Sequence, residues 1–104
     1  MAEFVDALIS RQKIVIFSKT YCPHCKQAQQ IIEEYPINPE SLEIVQIDLR
    51  KDCQEIQTYL EFLTGARSVP RVFIGSESLG GCDDTIEAEK NGRLAELLQK
   101  FGFI

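Results

Sequence analysis

The sequence predicts an α/β sandwich: a small mixed β-sheet with helices on both faces. Three observations carry this. A β-branched and aromatic run, KIVIF at residues 13–17, is followed by a helical stretch and then a second strand-like run. Two strands joined in this way lie parallel, because the connection crosses over the sheet. RVFIG, at residues 71–75, is followed by a polar turn and another short strand, which makes a hairpin. Helical patterns precede, separate and follow these strands, as a sheet covered on both sides requires.

Each element has a local reason. Residues 3–10, EFVDALIS, put Phe4, Ala7 and Leu8 on one helical face. KIVIF has the residue types of a buried strand. CPHCKQAQQIIEEY, residues 22–35, reads as helix. Pro23 suits the first helical position, where a missing N–H removes no bond, and so Cys22 falls at the N-cap. Pro36 and Pro39 mark a loop. LEIVQIDL, residues 42–49, alternates and reads as the second strand. CQEIQTYLEFL, residues 53–63, has Ile56, Tyr59, Leu60 and Leu63 at helical spacing, with Gly65 to end it. RVFIG is the third strand. Ser76, Glu77 and Ser78 with Leu79 suggest a turn and a short fourth strand. Asp83 and Asp84 open a helical tail running to about Lys100.

The 104 residues suit one domain spanning 1–104, and the 44% hydrophobic content suffices for one core. A formal net charge of −5 argues against nucleic acid as a partner, because phosphate binding calls for a basic surface. No apolar run approaches the roughly 18–20 residues of a membrane span. The start, MAEFVDALISRQK, lacks a basic region and a small-residue cleavage site, and reads as an amphipathic helix rather than a signal peptide. The expectation is a cytoplasmic protein that engages neither nucleic acid nor membrane.

Four cysteines, Cys22, Cys25, Cys53 and Cys82, carry the chemistry or staple the fold. The core can manage without staples, and in a reducing compartment close cysteines are catalytic or metal-binding. Three readings of Cys22 and Cys25 compete. Zinc sites commonly use two close pairs of ligands, and here the second pair is missing, since Cys53 and Cys82 stand far apart. A structural disulfide gains little from so short a loop. A redox pair fits best: C-x-x-C at a helix start, after a strand, in a β-α-β pattern. Cys22 would stand where free N–H groups and the helix dipole favour a thiolate. Lys19 and Lys26 add positive charge nearby. Cys25 lies one turn deeper, placed to attack a mixed disulfide on Cys22; the spacing makes Cys22 the nucleophile and Cys25 the resolving thiol. His24 is either a solvent-facing residue or a donor that stabilises the thiolate.

Three stretches, in order, resemble the dithiol class of glutaredoxins. KTYCPHC, residues 19–25, is similar to that family's active-site segment, which usually has tyrosine where His24 stands. LTGARSVPRVFIG, residues 63–75, resembles the segment around the family's cis-proline, with Ser68 in place of the usual threonine. LGGCDD, residues 79–84, resembles its glycine pair and acidic helix start.

The resemblance covers residues 13–100. It implies a thioredoxin-like three-layer sandwich with a four-stranded mixed sheet. It also implies glutathione as co-substrate, no tightly bound cofactor, no metal, and a monomer. Lys19, helped by Gln57 and Arg67, would meet the glycine-end carboxylate of glutathione. Val69, before a cis Pro70, would pair its backbone with the cysteine part, as an added strand does. Tyr21, His24 and Ser68 would border the ligand. Gly80 and Gly81 would admit it close to the backbone. The γ-glutamyl carboxylate would meet N–H groups of Cys82 and Asp83 at a helix start, and Asp84 or Asp83 would take the amino group.

The implied activity is a glutathione-dependent thiol–disulfide oxidoreductase. It would reduce protein–glutathione mixed disulfides and protein disulfides. One alternative is a thioredoxin-like exchanger that does not use glutathione. The thioredoxin family usually has tryptophan before the first cysteine, and this chain has none. CPHC also occurs in periplasmic disulfide oxidases, which are longer and carry an inserted helical domain. A glutaredoxin holding a [2Fe–2S] cluster is a further alternative; in that family a proline after the first cysteine, here Pro23, disfavours the cluster.

Overall fold

The computed structural model describes residues 2–104. Its elements are α1 (Ala2–Ser10), β1 (Ile14–Ser18), α2 (Pro23–Glu33), β2 (Leu42–Gln46), α3 (Cys53–Thr64), β3 (Arg71–Ile74), β4 (Glu77–Gly80), α4 (Cys82–Asn91) and α5 (Arg93–Lys100). Short 3₁₀ turns at Pro39–Ser41 and Ile47–Leu49 flank β2. The sheet order is β2-β1-β3-β4. β1 and β2 are parallel, with Ile16 opposite Ile44; β1 and β3 are antiparallel, with Ile16 opposite Val72. β3 and β4 form the expected hairpin.

Both faces of the sheet are covered, and the two-residue period of β1 divides its side chains between them. Ile14 and Ile16 join Val72 and Ile74 against Ala28 and Ile32 of α2, Ala88 of α4, and Leu94, Leu97 and Leu98 of α5. Val15 and Phe17 join Phe73 against Val5 and Leu8 of α1 and Ile56 and Leu60 of α3. This explains why KIVIF has no polar alternation: a strand buried on both faces reads as one apolar run. The Phe17 and Phe73 rings meet edge to face at 5.9 Å. Burying each such side chain contributes roughly 1.5–3 kcal/mol. The result is the thioredoxin-like three-layer sandwich that the resemblance implies.

Three elements depart from the sequence reading. In α1, Val5 and Leu8 face the core, Phe4 is half-buried, and Ala7 is exposed. The second strand stops at Gln46, because the chain turns into a 3₁₀ segment that buries Ile47 and leaves Leu49 exposed. The helical tail is two helices. Gly92, at φ 85°, caps α4 in the left-handed conformation, and α5 restarts at Arg93. No helix among the described residues is long and apolar enough to cross a membrane.

Candidate active site

Cys22 is the N-cap of α2, with extended backbone at φ −100° and ψ 107°, and Pro23 occupies the first helical turn. The Cys25 N–H donates to Cys22 Sγ at 3.2 Å. An N–H of the first turn, with no intrahelical acceptor, thus points at the sulfur. The Cys22 N–H in turn donates to the Lys19 carbonyl at 3.1 Å. Thr20 ties the same loop to the segment after β2: its N–H and its hydroxyl donate to the two Asp48 carboxylate oxygens at 3.0 and 2.5 Å. Thr20's hydrogen bond, with help from Lys19's charge, holds the Asp48 carboxyl below the usual range. The nucleophile therefore rests on a braced loop.

Cys25 is buried, at 2% exposure. Burial, and then the hydrogen bond to Cys22, push its thiol from an ordinary 9.0 up to about 11. At neutral pH it is a protonated thiol one turn below Cys22. All four cysteines are free thiols.

Beside Cys22 lies a groove of about 310 Å³. Ser68, Val69 and Pro70 supply one part of its lining, and Gly81, Cys82, Asp83 and Asp84 supply another, with His24 between the cysteines also bordering it. The Val69–Pro70 bond is cis. Cys22 Sγ stands 3.9 Å from the Val69 carbonyl oxygen, so the sulfur opens directly onto this segment. The far part is the start of α4, where the Gly81 N–H donates to Asp84 Oδ2 at 2.8 Å. The N–H groups of Cys82 and Asp83 fall in the first turn and have no intrahelical acceptor. Cys82 itself is turned inward, 3.6 Å from Gln27 Oε1, and burial pushes its thiol up.

The remaining expected residues stand around the groove rather than in its lining. Tyr21 is 70% exposed beside Cys22. Lys19 is half-buried at the end of β1. Gln57 is buried on α3 and donates from Nε2 to the Arg67 carbonyl at 2.9 Å, bracing the loop that leads to Val69. Its Oε1 faces Cys53 Sγ at 3.6 Å. Arg67 reaches back to Gln54 at 2.9 Å and stands 3.6 Å from Glu61.

Two residues were missed in the sequence. Asp48 anchors Thr20 from 28 positions away, and nothing local announces it. Arg71 heads β3, borders the groove, and donates from Nε to the Pro70 carbonyl at 3.1 Å. Its signal was available: a cation directly after a proline, at the head of an otherwise apolar strand. Among the described residues, no group of three or more His, Cys, Asp or Glu could hold a metal ion.

A family model described as Glutaredoxin matches residues 14–79. Glutaredoxin-1 of Homo sapiens is 45% identical over 100 residues, covering 96% of this chain and 94% of that protein. The structure of oxidized glutaredoxin 2 from Chlamydomonas reinhardtii superposes with a TM-score of 0.90 at 39% identity, covering 98% of this chain and 94% of that one. The buckwheat glutaredoxin–glutathione complex gives a TM-score of 0.89 at 32% identity, covering 98% and 90%.

Proposed function

Because the chain belongs to the glutaredoxin family of thiol–disulfide oxidoreductases, we propose that Cys22 is its nucleophile, Cys25 its resolving thiol, and the groove its glutathione site. The activity is glutathione-dependent thiol–disulfide exchange. One observation supports the site most directly. Cys22 Sγ takes the Cys25 N–H and stands 3.9 Å from the carbonyl oxygen of Val69, and Val69 lines a groove that ends at the start of α4.

In the first route the Cys22 thiolate attacks the glutathione sulfur of a glutathionylated protein. The old S–S bond breaks, the protein leaves as a thiolate and takes a proton, and Cys22 carries the glutathione. A second glutathione, as thiolate, attacks that sulfur. Glutathione disulfide leaves and the Cys22 thiolate returns. In the second route Cys22 attacks a protein disulfide. Cys25 then loses its proton, attacks the Cys22 sulfur and releases the target's second thiol. Two glutathiones reopen the Cys22–Cys25 disulfide.

The ligand reading assigns the groove by chemistry. Val69 offers backbone hydrogen bonds to the cysteine part. The α4 start receives the γ-glutamyl carboxylate, with Asp83 or Asp84 for the amino group. Lys19, together with Arg67, attracts the glycine-end carboxylate, and Gln57 acts by holding the Arg67 carbonyl. Tyr21, His24 and Ser68 border the bound peptide. We read the enzyme as a cytoplasmic monomer with no resident cofactor, acting on glutathionylated and disulfide-bonded proteins.

The test is reduction of a glutathione–cysteine mixed disulfide, coupled to glutathione reductase, with wild type, Cys22→Ser and Cys25→Ser. Activity in the wild type and in Cys25→Ser, with none in Cys22→Ser, is expected. A wild type inactive here but reducible by thioredoxin reductase would sink the glutathione reading.

A further inference from the structure

One charged group in the groove lacks a partner for most of its donors. Arg71 is 8% exposed, and it borders the groove. Its Nε is satisfied by the Pro70 carbonyl. No hydrogen bond or ion pair among the described residues engages its two terminal nitrogens. The neighbouring carboxylate, Asp84, gives Oδ2 to the Gly81 N–H and forms no ion pair with Arg71, although its charge still supports the guanidinium. A buried cation with idle donors is costly unless an anion completes it.

The position of the idle donors is informative. Nη2 lies against Gly81, 2.6 Å from where a side-chain Cβ on that residue would stand. Gly81 is the N-cap of α4, a helix of 10 residues. The guanidinium fork and the first-turn N–H groups of Cys82 and Asp83 therefore belong to one small region. A planar fork beside backbone donors at a helix start is matched to a carboxylate. The other cations assigned to the ligand, Lys19 and Arg67, stand outside the groove lining.

We propose that Arg71 is a specificity-determining residue of the groove. Its terminal nitrogens receive the γ-glutamyl carboxylate of glutathione, together with the N–H groups at the start of α4. This rests on the glutathione reading above. It adds a side-chain cation to an anchor that otherwise consists of backbone alone. A Lys cannot replace it fully, because an ammonium group lacks the fork that bonds Pro70 and the ligand at once.

The test compares two mixed disulfides on one fluorescent peptide. One carries glutathione. The other carries 4-aminobutyryl-cysteinyl-glycine, which is glutathione without its γ-glutamyl carboxylate. Peptide release is followed at fixed glutathione, and kcat/KM is taken for each substrate. The wild type should prefer the glutathionyl substrate. In Arg71→Met that preference should shrink by about tenfold, as expected for one charge-assisted hydrogen-bonding partner, with Arg71→Lys between. Both rates come from one preparation, so their ratio is indifferent to any loss of folded enzyme. A variant that slows both substrates equally, keeping the wild-type preference, would show Arg71 to be structural and overturn the proposal alone. A wild type with no preference would overturn the carboxylate site and the glutathione reading together.

Discussion

Replacing Gly81 with alanine isolates what the arginine does to the fold. Gly81 has φ −99° and ψ −161°, which is extended backbone that any residue adopts. Conformation alone would therefore favour alanine by about 0.4–1 kcal/mol, through a less flexible unfolded chain. Space argues the other way. The new Cβ would stand 2.6 Å from Arg71 Nη2 and 3.5 Å from the Pro70 carbonyl oxygen. Contact at 2.6 Å is not tolerated, so the guanidinium end must shift, and Arg71, 8% exposed, has little room to do so without loosening its bond to that carbonyl. A hydrogen bond from a charged group is worth about 1.5–3 kcal/mol. The larger effect wins, and the net loss is about 1–2 kcal/mol. For a domain of this size that lowers the melting temperature by roughly 4–16 °C.

Thermal unfolding of the reduced protein, followed by circular dichroism, measures it. The decisive comparison is the same alanine in an Arg71→Met background, where the contact is gone. There the substitution should cost nothing or stabilise slightly. An equal loss in both backgrounds would refute the steric argument, because the penalty would then owe nothing to Arg71. Gly80 offers a contrast: its φ of +110° demands glycine on conformation alone, and a Cβ would also strike Asp84.

Other outcomes follow from the same geometry. Cys25→Ser should keep deglutathionylation but lose reduction of protein disulfides, read with a glutathionylated peptide and a disulfide-bonded peptide side by side. The reduced protein should lose stability as pH climbs from about 9 to about 11. Folded Cys25 keeps its proton to about 11 while the unfolded thiol releases its own near 9.0. The stability difference between wild type and Cys25→Ser, measured by urea titration at several pH values, should shrink across that window and stay constant below it. Gln57→Leu takes the donor from the half-buried Arg67 carbonyl, at a cost of about 0.5–1.5 kcal/mol. Its KM for glutathionylated substrate should rise more than its kcat falls. Anaerobically purified protein should show no absorbance above about 400 nm, since Pro23 follows the first cysteine and two thiols are set for exchange; a visible band would revive the cluster reading.

Local signals were legible where the chemistry is local. Pro23 announced the start of α2 because proline fits that position and few others, and Cys22 at the N-cap followed from it. The two-faced burial of β1 was written in four successive apolar residues, Ile14 to Phe17. Gly92 was less legible: the apolar spacing continues through Leu94 and Leu98, and only the left-handed backbone reveals that one helix has ended. The end of β2 was hidden for the same reason, since alternation continues after Gln46 while the backbone tightens. Within the site, contiguous motifs surfaced and long-range partners did not. Asp48 supports Thr20 only because β2 runs beside β1, and Arg71 meets Gly81 only because β3 and β4 fold back on each other.

The buried thiol also sets a clock. At pH 7, four units below about 11, Cys25 exists as thiolate in only about one molecule in ten thousand. Burial, the larger cause, persists when Cys22 is capped by glutathione, so ring closure by Cys25 must wait for a rare proton loss. During that wait an external glutathione can reach the capped sulfur first. At that sulfur the two thiols thus race: below about pH 9 both thiolate fractions grow tenfold for each unit of pH, so the amount of surrounding glutathione decides which arrives first. A change in the glutathione pool would therefore alter how much of the enzyme passes through the Cys22–Cys25 disulfide without moving an atom of the fold.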